Sequence, residues 1–191
     1  MSQSQIIFWR SDNAQKRPLK FLFNAFLAHH RYDKRGASAM IIIDLEWNSG
    51  SDYSGFDEIL QIGAVRIKTL GGCILGTFNI YVKPQLNTTL HPAAAKLPEL
   101  QRSFSDGVCF PVAFLKFREW ARHEKDYAAW GEEDFRVLQQ NVSFWNLPSL
   151  SIRAVFNLQR GFGQHLGTAA QIALCKAVSY CKIPESFTFH D

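Results

Sequence analysis

Two acidic residues, Asp44 and Glu46, follow the apolar run 40–43 and are separated from each other by one residue. The β-branched residues of that run predict a strand, and its lack of polar alternation predicts burial on both faces. Because side chains alternate along a strand, the two carboxylates should project from the same face. Crowded carboxylates in an apolar setting are hard to keep ionised without a cation, and such oxygen ligands suit Mg²⁺ or Mn²⁺. On its own, the triplet is more typical of two solvated acids at a strand end.

A third acid, Asp134, follows the short apolar segment 127–130 and falls in the first turn of a predicted helix. If that segment is a strand parallel to the first, Asp134 arrives near Asp44 and Glu46, where open α/β sheets place ligand sites. A fourth candidate is His190, because a histidine near a metal site can act as a general base. Taken singly, Asp134 is also typical of a helix start and His190 of an exposed position near the end of this sequence.

The elements that must position these residues follow from apolar periodicity and turn residues. The first three predicted strands are 40–43, 58–68 and 73–82. They are joined by short links, with a glycine turn at 70–72, and therefore predict an antiparallel meander. Helices and strands then alternate, which predicts a mixed α/β sheet whose later strands run parallel to the first. The predicted helices are 111–123, 132–142 and 168–180, and the predicted later strands are 127–130 and 152–158. In helix 111–123 the apolar side is predicted to hold Val112, Leu115, Phe117 and Trp120.

Composition limits the classes of protein to consider. The 191 residues are 47% hydrophobic, which is enough for one domain with a sizeable core. No stretch approaches the ~18 uncharged apolar residues of a membrane span, so we expect no membrane partner. Four cysteines without C-x-x-C or zinc spacing favour reduced thiols and a cytoplasmic protein.

The net charge of +4 is unevenly distributed. Residues 1–36 hold seven basic and two acidic side chains, and the remainder holds 14 basic and 15 acidic ones. We therefore interpret 1–38 as a basic N-terminal extension and 39–191 as the domain. The extension either adds salt-sensitive attraction to phosphates or is a solvated leader.

The order of the motifs resembles the DEDDh 3′→5′ exonuclease superfamily, which has a ribonuclease H-like fold. Asp44-Leu45-Glu46 looks like its first motif, and segments 58–65 and 78–84 resemble the two strands that follow it. Trp130-Gly131-x-x-Asp134 looks like the second motif in the form used by the RNA-trimming branch, similar to the histone-mRNA exonuclease and the sporulation-inhibitor type. The resemblance covers residues 40–191.

The resemblance implies a site in which carboxylates hold two Mg²⁺ (or Mn²⁺) ions for hydrolysis of a phosphodiester bond. By resemblance, Asp44 bridges both ions, Glu46 binds the ion on the nucleophile side, Asp134 binds the other, and His190 is the base. Leu45 and Trp47 are expected to contact substrate. The Trp47 ring either stacks on a terminal base or is buried in the core.

The sequence departs from the family at two places. The family's fourth acid lies five residues after the histidine, which is past Asp191, and a final helix should carry both. We therefore expect 39–191 to be an exonuclease domain that lacks its final helix. The family's Leu-Thr-Gly-Ile segment, which lines the substrate's 3′ end, is replaced by Leu97-Pro98-Glu99-Leu100. Proline removes a backbone donor and glutamate repels phosphate, so handling of the terminal nucleotide should differ.

The sequence thus predicts a metal-dependent 3′→5′ exonuclease that acts on single-stranded 3′ ends and releases nucleoside 5′-monophosphates, with RNA favoured over DNA. A DNA exonuclease of the proofreading type is the near alternative. A nucleic-acid-binding module that keeps the fold without cleaving is the alternative from another class.

Overall fold

The computed structural model describes residues 39–49, 55–68, 73–87 and 89–182. The basic extension 1–38, the predicted glycine turn at 70–72 and His190 lie outside the described residues. Within them the chain forms a mixed sheet of five strands flanked by helices, as the sequence predicts. No helix in the described part of the chain is long and apolar enough to cross a membrane.

The sheet combines an antiparallel meander with two parallel strands. The strands are β1 (Ala39–Asn48), β2 (Glu58–Lys68), β3 (Ile74–Tyr81), β4 (Asp126–Ala129) and β5 (Ala154–Asn157). Strand β2 pairs antiparallel with both β1 and β3, whereas β4 runs parallel to β1 and β5 runs parallel to β4. The order across the sheet is β3-β2-β1-β4-β5, so β1 is central. The predicted meander and the predicted parallel strands are confirmed.

Strand β1 is buried on both faces, which explains its unbroken apolar sequence. Ile41, Ile43 and Leu45 face the main core, which also contains side chains of the helices Phe110–Ala121 and Glu133–Phe144. Met40 and Ile42 point to the other face and pack with Val65 and Ile67 of β2 and Ala128 of β4.

The described helices are α1 (Pro92–Ala95), a 3₁₀ helix (Pro98–Gln101), α2 (Arg102–Ser105), α3 (Phe110–Ala121), α4 (Glu133–Phe144), α5 (Leu158–His165) and α6 (Leu174–Tyr180). Helices α3 and α4 confirm the predictions for 111–123 and 132–142. The prediction of one helix over 168–180 is wrong at its start, because α6 begins at Leu174. Helix α5 was not predicted from its own residues. Its two glycines weaken the helical signal, and the Asn157 side chain caps it by accepting a hydrogen bond from the Arg160 N–H.

The buried face of α3 differs from the predicted one. Its buried side chains are Phe110, Ala113, Phe114, Phe117 and Ala121. Val112 and Leu115 are instead 42% and 46% exposed. The aromatic rings decide the orientation, because Phe117 packs against Phe78 of β3 and against Trp120. Burying these large rings removes more apolar surface from water than burying Val112 and Leu115 would.

Asn141 fastens α4 to the start of β2. This fully buried side chain accepts a hydrogen bond from the Ile59 N–H (3.3 Å) and donates to the Asp57 carbonyl (2.7 Å). Its amide also donates to Val137 one turn earlier in α4. The bonds to Ile59 and Asp57 fix the helix that carries Asp134 against the sheet that carries Asp44 and Glu46.

We expect Asn141→Leu to lower the free energy of unfolding by about 2–4 kcal/mol, because it leaves a buried N–H and a buried carbonyl without their partner. Urea unfolding monitored by circular dichroism measures the loss. The control is Gln139→Ala on the exposed side of α4, for which we expect a change within about 0.5 kcal/mol. Equal effects of the two substitutions would contradict the assignment.

Candidate active site

Strand β1 presents Asp44 and Glu46 on the same face, as its alternation predicts. Asp44 is half-buried and Glu46 is only 4% exposed. Both residues belong to the strand itself, which continues to Asn48. Gly63 of β2 pairs with Asp44, and a Cβ at Gly63 would lie 3.1 Å from the Asp44 carbonyl oxygen. The two strands therefore approach closely beside the first acid.

Asp134 reaches β1 from the first turn of α4. Its Oδ1 accepts a hydrogen bond from the Leu45 N–H at 2.9 Å, and the residue is 9% exposed. Strand β4 pairs with β1 through Ile41 and Ile42 and ends at Ala129. The carboxylate thus satisfies a β1 amide beyond the end of the neighbouring strand, where a buried donor would otherwise be unpaired. The hydrogen bond brings the Asp134 carboxylate to the β1 backbone between Asp44 and Glu46.

The other two acids of the same turn face outward. Glu132 is paired with Arg160, and Glu133 is paired with Arg136, which also reaches Asp57. These exposed ion pairs contribute little to stability. Of the three consecutive acids Glu132, Glu133 and Asp134, only Asp134 turns toward β1.

Burial and mutual repulsion raise the pKa values of the inner acids. Loss of solvent is the main cause of a Glu46 pKa well above its ordinary value, and the charges of Asp44, Asp134 and Glu99 raise it further. Burial also raises the pKa of Asp134, to about 6, although the hydrogen bond from the Leu45 N–H opposes the shift. Ionising this group of acids at neutral pH is therefore costly without a compensating positive charge.

The chemistry of these residues fits a divalent cation. Glu46 Oε1 is buried and has no hydrogen-bond partner among the described residues, and such an atom is normally paired in a folded protein. Carboxylate oxygens are the ligands that Mg²⁺ and Mn²⁺ prefer. Within the described ranges, however, no three His, Cys, Asp or Glu side chains are already arranged to hold a metal ion. The donor types of these acids therefore fit such a cation.

The remaining predicted site residues have different surroundings. Leu45 is 1% exposed and its side chain lies in the main core, so it is not available to a substrate from solvent. Trp47 is half-buried and packs against that core, which leaves part of its ring accessible. Trp130 packs against Leu174 and Val178 of α6, and its Nε1 donates to the Ile172 carbonyl. His190 lies outside the described residues.

Asn48 continues the strand that carries the β1 acids and was not predicted as a site residue, whereas Glu99 belongs to the segment that the resemblance places at the substrate's 3′ end. The Asn48 side chain donates to the Thr89 carbonyl (2.8 Å) and accepts from the His91 N–H (2.7 Å), which ties the following segment to the end of β1. Asn48 continues the alternation of Asp44 and Glu46 along β1, and this spacing was the signal in the sequence that could have found it. The charge of Glu99 contributes to the raised pKa of Glu46, which agrees with that placement.

Comparison with known proteins shows likeness at the level of structure. No family model matches the chain, and no curated protein matches it in sequence. One similar solved structure is the nuclease domain of 3′hExo, a DEDDh family member, bound to rAMP. It is 20% identical with a TM-score of 0.61, and the match covers 70% of this chain and 73% of that one.

Two further structures have the same architecture. Cell-death related nuclease 4 is 24% identical with a TM-score of 0.61, over 78% of this chain and 56% of that one. A 3′-exonuclease, described in a structure on 3′-end specific recognition of histone mRNA stem-loop, is 19% identical with a TM-score of 0.56. That match covers 69% of this chain and 64% of the other, so the chain spans less than two thirds of both relatives.

We expect Asp134→Asn to stabilise the metal-free protein at pH 7.5. A carboxyl group whose pKa is raised by folding favours the folded state below its unfolded pKa, and that stability is lost as the pH rises through about 6. Asparagine keeps an acceptor for the Leu45 N–H without a charge to bury. The gain at pH 7.5 should be on the order of 1–3 kcal/mol and should vanish near pH 4.

Chemical unfolding in the presence of EDTA at both pH values measures this difference. Glu119→Gln, on the exposed surface of α3, is the control and should change little at either pH. A destabilised Asp134→Asn variant at pH 7.5 would show that the buried carboxylate is not strained by its charge.

Proposed function

We propose that this chain, which has the ribonuclease H-like fold of the DEDDh exonucleases, is a metal-dependent 3′→5′ exonuclease. Its reaction would hydrolyse the terminal phosphodiester bond of a nucleic acid and release a nucleoside 5′-monophosphate. The fold is shared with nucleases, and the assignment of an activity depends on the acids at the end of β1.

The contact between Asp134 and β1 carries the proposal. It joins Leu45 and Asp134, which are 89 positions apart in the chain, and so supports a site shared by Asp134 with Asp44 and Glu46. The buried, unpaired Glu46 oxygen supports the same conclusion, because a cation would satisfy an atom that the described residues leave without a partner. A purely structural set of acids would normally be paired with arginine, as Asp126 is with Arg153.

Asp44, Glu46 and Asp134 would hold divalent cations, Mg²⁺ or Mn²⁺. When bound, such ions supply Lewis-acid stabilisation of the phosphoryl oxygens and of the leaving 3′ oxygen. The three carboxylates would hold that charge in place at the end of β1. His190 would accept the proton of the attacking water at an imidazole nitrogen, since its ordinary pKa lies near neutrality.

RNA is the substrate that we favour. The Trp130-Gly131-x-x-Asp134 motif resembles the RNA-trimming branch, and two structures with this fold are described with rAMP and with a histone mRNA stem-loop. The half-buried ring of Trp47 is a candidate for stacking on a terminal base, a contact worth about 1–3 kcal/mol in other proteins. A DNA substrate remains the alternative for the same chemistry.

One observation favours a second function, in which the domain binds nucleic acid without cleaving it. In the described part of the chain no three metal-binding side chains are positioned together. Without a bound cation, nothing at the end of β1 would stabilise the leaving oxygen of a phosphodiester. Such a module would bind single strands and leave them intact.

Digestion of oligonucleotides distinguishes the two functions. With 3′- or 5′-labelled RNA and DNA, an exonuclease should shorten the strand stepwise from the 3′ end in Mg²⁺ or Mn²⁺ and should stop in EDTA. Asp44→Asn and Asp134→Asn should each lower the rate by about 100-fold or more, because each removes a charge that binds the catalytic ion. Comparison of RNA with DNA of the same sequence then settles the preference.

Glu119→Gln is the matched control for a contaminating nuclease and should retain full activity. Unchanged cleavage by both Asp variants would show that these acids do not hold the catalytic ion. Binding of the oligonucleotide without cleavage in any metal would support the binding module instead.

The basic extension 1–38 is proposed to add attraction to phosphates. We expect deletion of residues 1–36 to weaken binding of single-stranded RNA mainly at low salt and to make the dependence of log Kd on log salt shallower. Fluorescence anisotropy between about 50 and 300 mM salt measures that slope. The same slope before and after deletion would mean that the extension is a solvated leader.

A further inference from the structure

A polar cavity of about 840 Å³ lies beside helix α5. Asn157, Arg160 and Gln164 line it from the helix and its N-cap, and their spacing of three and four residues puts them on one helix face. The loop 167–171 and Glu132 also border the cavity. Its volume lies within the range of about 300–1,000 Å³ that is usual for ligand sites.

Hydrogen bonds between neighbouring segments hold the borders of this cavity. Glu132 accepts a hydrogen bond from the Arg160 guanidinium at 2.7 Å. At the end of the loop, the Ile172 carbonyl accepts from both Trp130 Nε1 (3.2 Å) and Gln159 Nε2 (2.9 Å). The loop is therefore tied both to α5 and to the segment that follows β4.

Gly163 lets the loop pack directly on α5. A Cβ at this position would lie 3.0 Å from the Thr168 carbonyl oxygen and 3.3 Å from that of Ala170. The Thr168 N–H also donates to the Gly163 carbonyl at 2.9 Å. The cavity thus has its shape before any ligand binds, which lowers the entropy that binding would cost.

The polar groups that face a ligand here are mostly side-chain amides. Gln164 and Gln171 border the cavity, are exposed, and form no hydrogen bond with another described residue. The charge of Arg160 is balanced by Glu132. Amides beside a balanced charge suit a nucleobase better than a phosphate, because the edge of a base offers both donors and acceptors. The planar Arg160 guanidinium can also stack on a base.

The cavity lies at the edge of the sheet where the candidate active site lies. Strand β5 ends at Asn157 and runs parallel to β4, which runs parallel to β1, so the three strands end at the same edge. Neighbouring strands are about 4.8 Å apart, which places β5 about 10 Å from β1. Glu132 is also only two residues before Asp134. A nucleic-acid strand whose 3′ end reaches the β1 acids can therefore extend to the cavity.

We propose that this cavity binds one unpaired base of the nucleic acid, upstream of the 3′-terminal nucleotide, and gives the protein a sequence preference at that position. The inference rests on the proposed function, which places the 3′ end at Asp44, Glu46 and Asp134. Gln164 and Gln171 bond to the edge of the base, and Arg160 stacks on its face.

Fluorescence anisotropy with labelled single-stranded RNA tests this on the complete chain. The probes are oligonucleotides of equal length that differ in one base at successive positions from the 3′ end, and EDTA prevents metal-dependent cleavage. The unaltered protein should prefer one base at one upstream position. Gln164→Ala and Gln171→Ala should each weaken binding of the preferred oligonucleotide about 5-fold or more and reduce that preference.

Gln139→Ala is the matched control, because it removes an exposed amide from α4. It should bind all the oligonucleotides like the unaltered protein. Thermal melting checks the fold, and all three variants should melt within about 2 °C of the unaltered protein because the substituted side chains are exposed. A loss of base preference at unchanged melting temperature is not expected of a merely structural residue.

Adenosine 5′-monophosphate distinguishes a base of the strand from a free nucleotide. It should compete with the oligonucleotide only at concentrations more than about 10-fold higher, because the strand is also held at its 3′ end. If Gln164→Ala weakens binding of the mononucleotide and leaves oligonucleotide binding unchanged, the cavity is a site for free nucleotides and the proposal is wrong.

The remaining outcomes separate this inference from the one on which it rests. If the chain shortens RNA from the 3′ end while both glutamine variants bind every oligonucleotide like the unaltered protein, the role of the cavity is refuted and the exonuclease stands. If the variants lose base preference and no metal supports cleavage, the cavity stands and the exonuclease is refuted. A chain that binds no oligonucleotide refutes the role of the cavity.

Discussion

The hydrogen bond between the Asp134 carboxylate and the Leu45 N–H is the contact on which the candidate site depends. It places an acid where the short strand β4 can no longer pair with β1, so it completes the backbone bonding of the central strand. The same contact brings a third negative charge into a buried space that already contains Glu46. The fold therefore uses for its own backbone an acid that is also suited to bind a cation.

Other buried polar groups of the domain have hydrogen-bond partners, in contrast to the crowded acids at this site. Asn141 makes three hydrogen bonds, two of which join α4 to the start of β2, and buried Asp126 is held by the Arg153 guanidinium at the start of β4 and β5. These groups have partners of the ordinary kind, whereas Glu46 Oε1 has none in the described residues. That contrast is typical of functional sites, where local stability is lower than it could be.

The sequence predicted those features that depend on neighbours along the chain or on strong periodicity. The apolar run before Asp44, the meander and the acid at the start of α4 could be located because strand burial and helix-start chemistry leave local patterns. The buried face of α3 could not be predicted, because apolar residues occur on several sides of that helix and the packing of its Phe117 and Trp120 rings against Phe78 selects one of them. The start of α6 depends on tertiary contacts that no local pattern records.

The central position of β1 also determines when the site can exist during folding. Strand β2 begins only ten residues after β1 ends, but the partner of Ile41 on the other edge is Tyr127, 86 residues later. Contacts so far apart in sequence close slowly, and an open strand edge is prone to wrong pairing until they do. On a ribosome the meander can assemble early, while the opposite edge of β1 waits for β4 and α4 to emerge. The candidate site can therefore form only after the second half of the chain has been made.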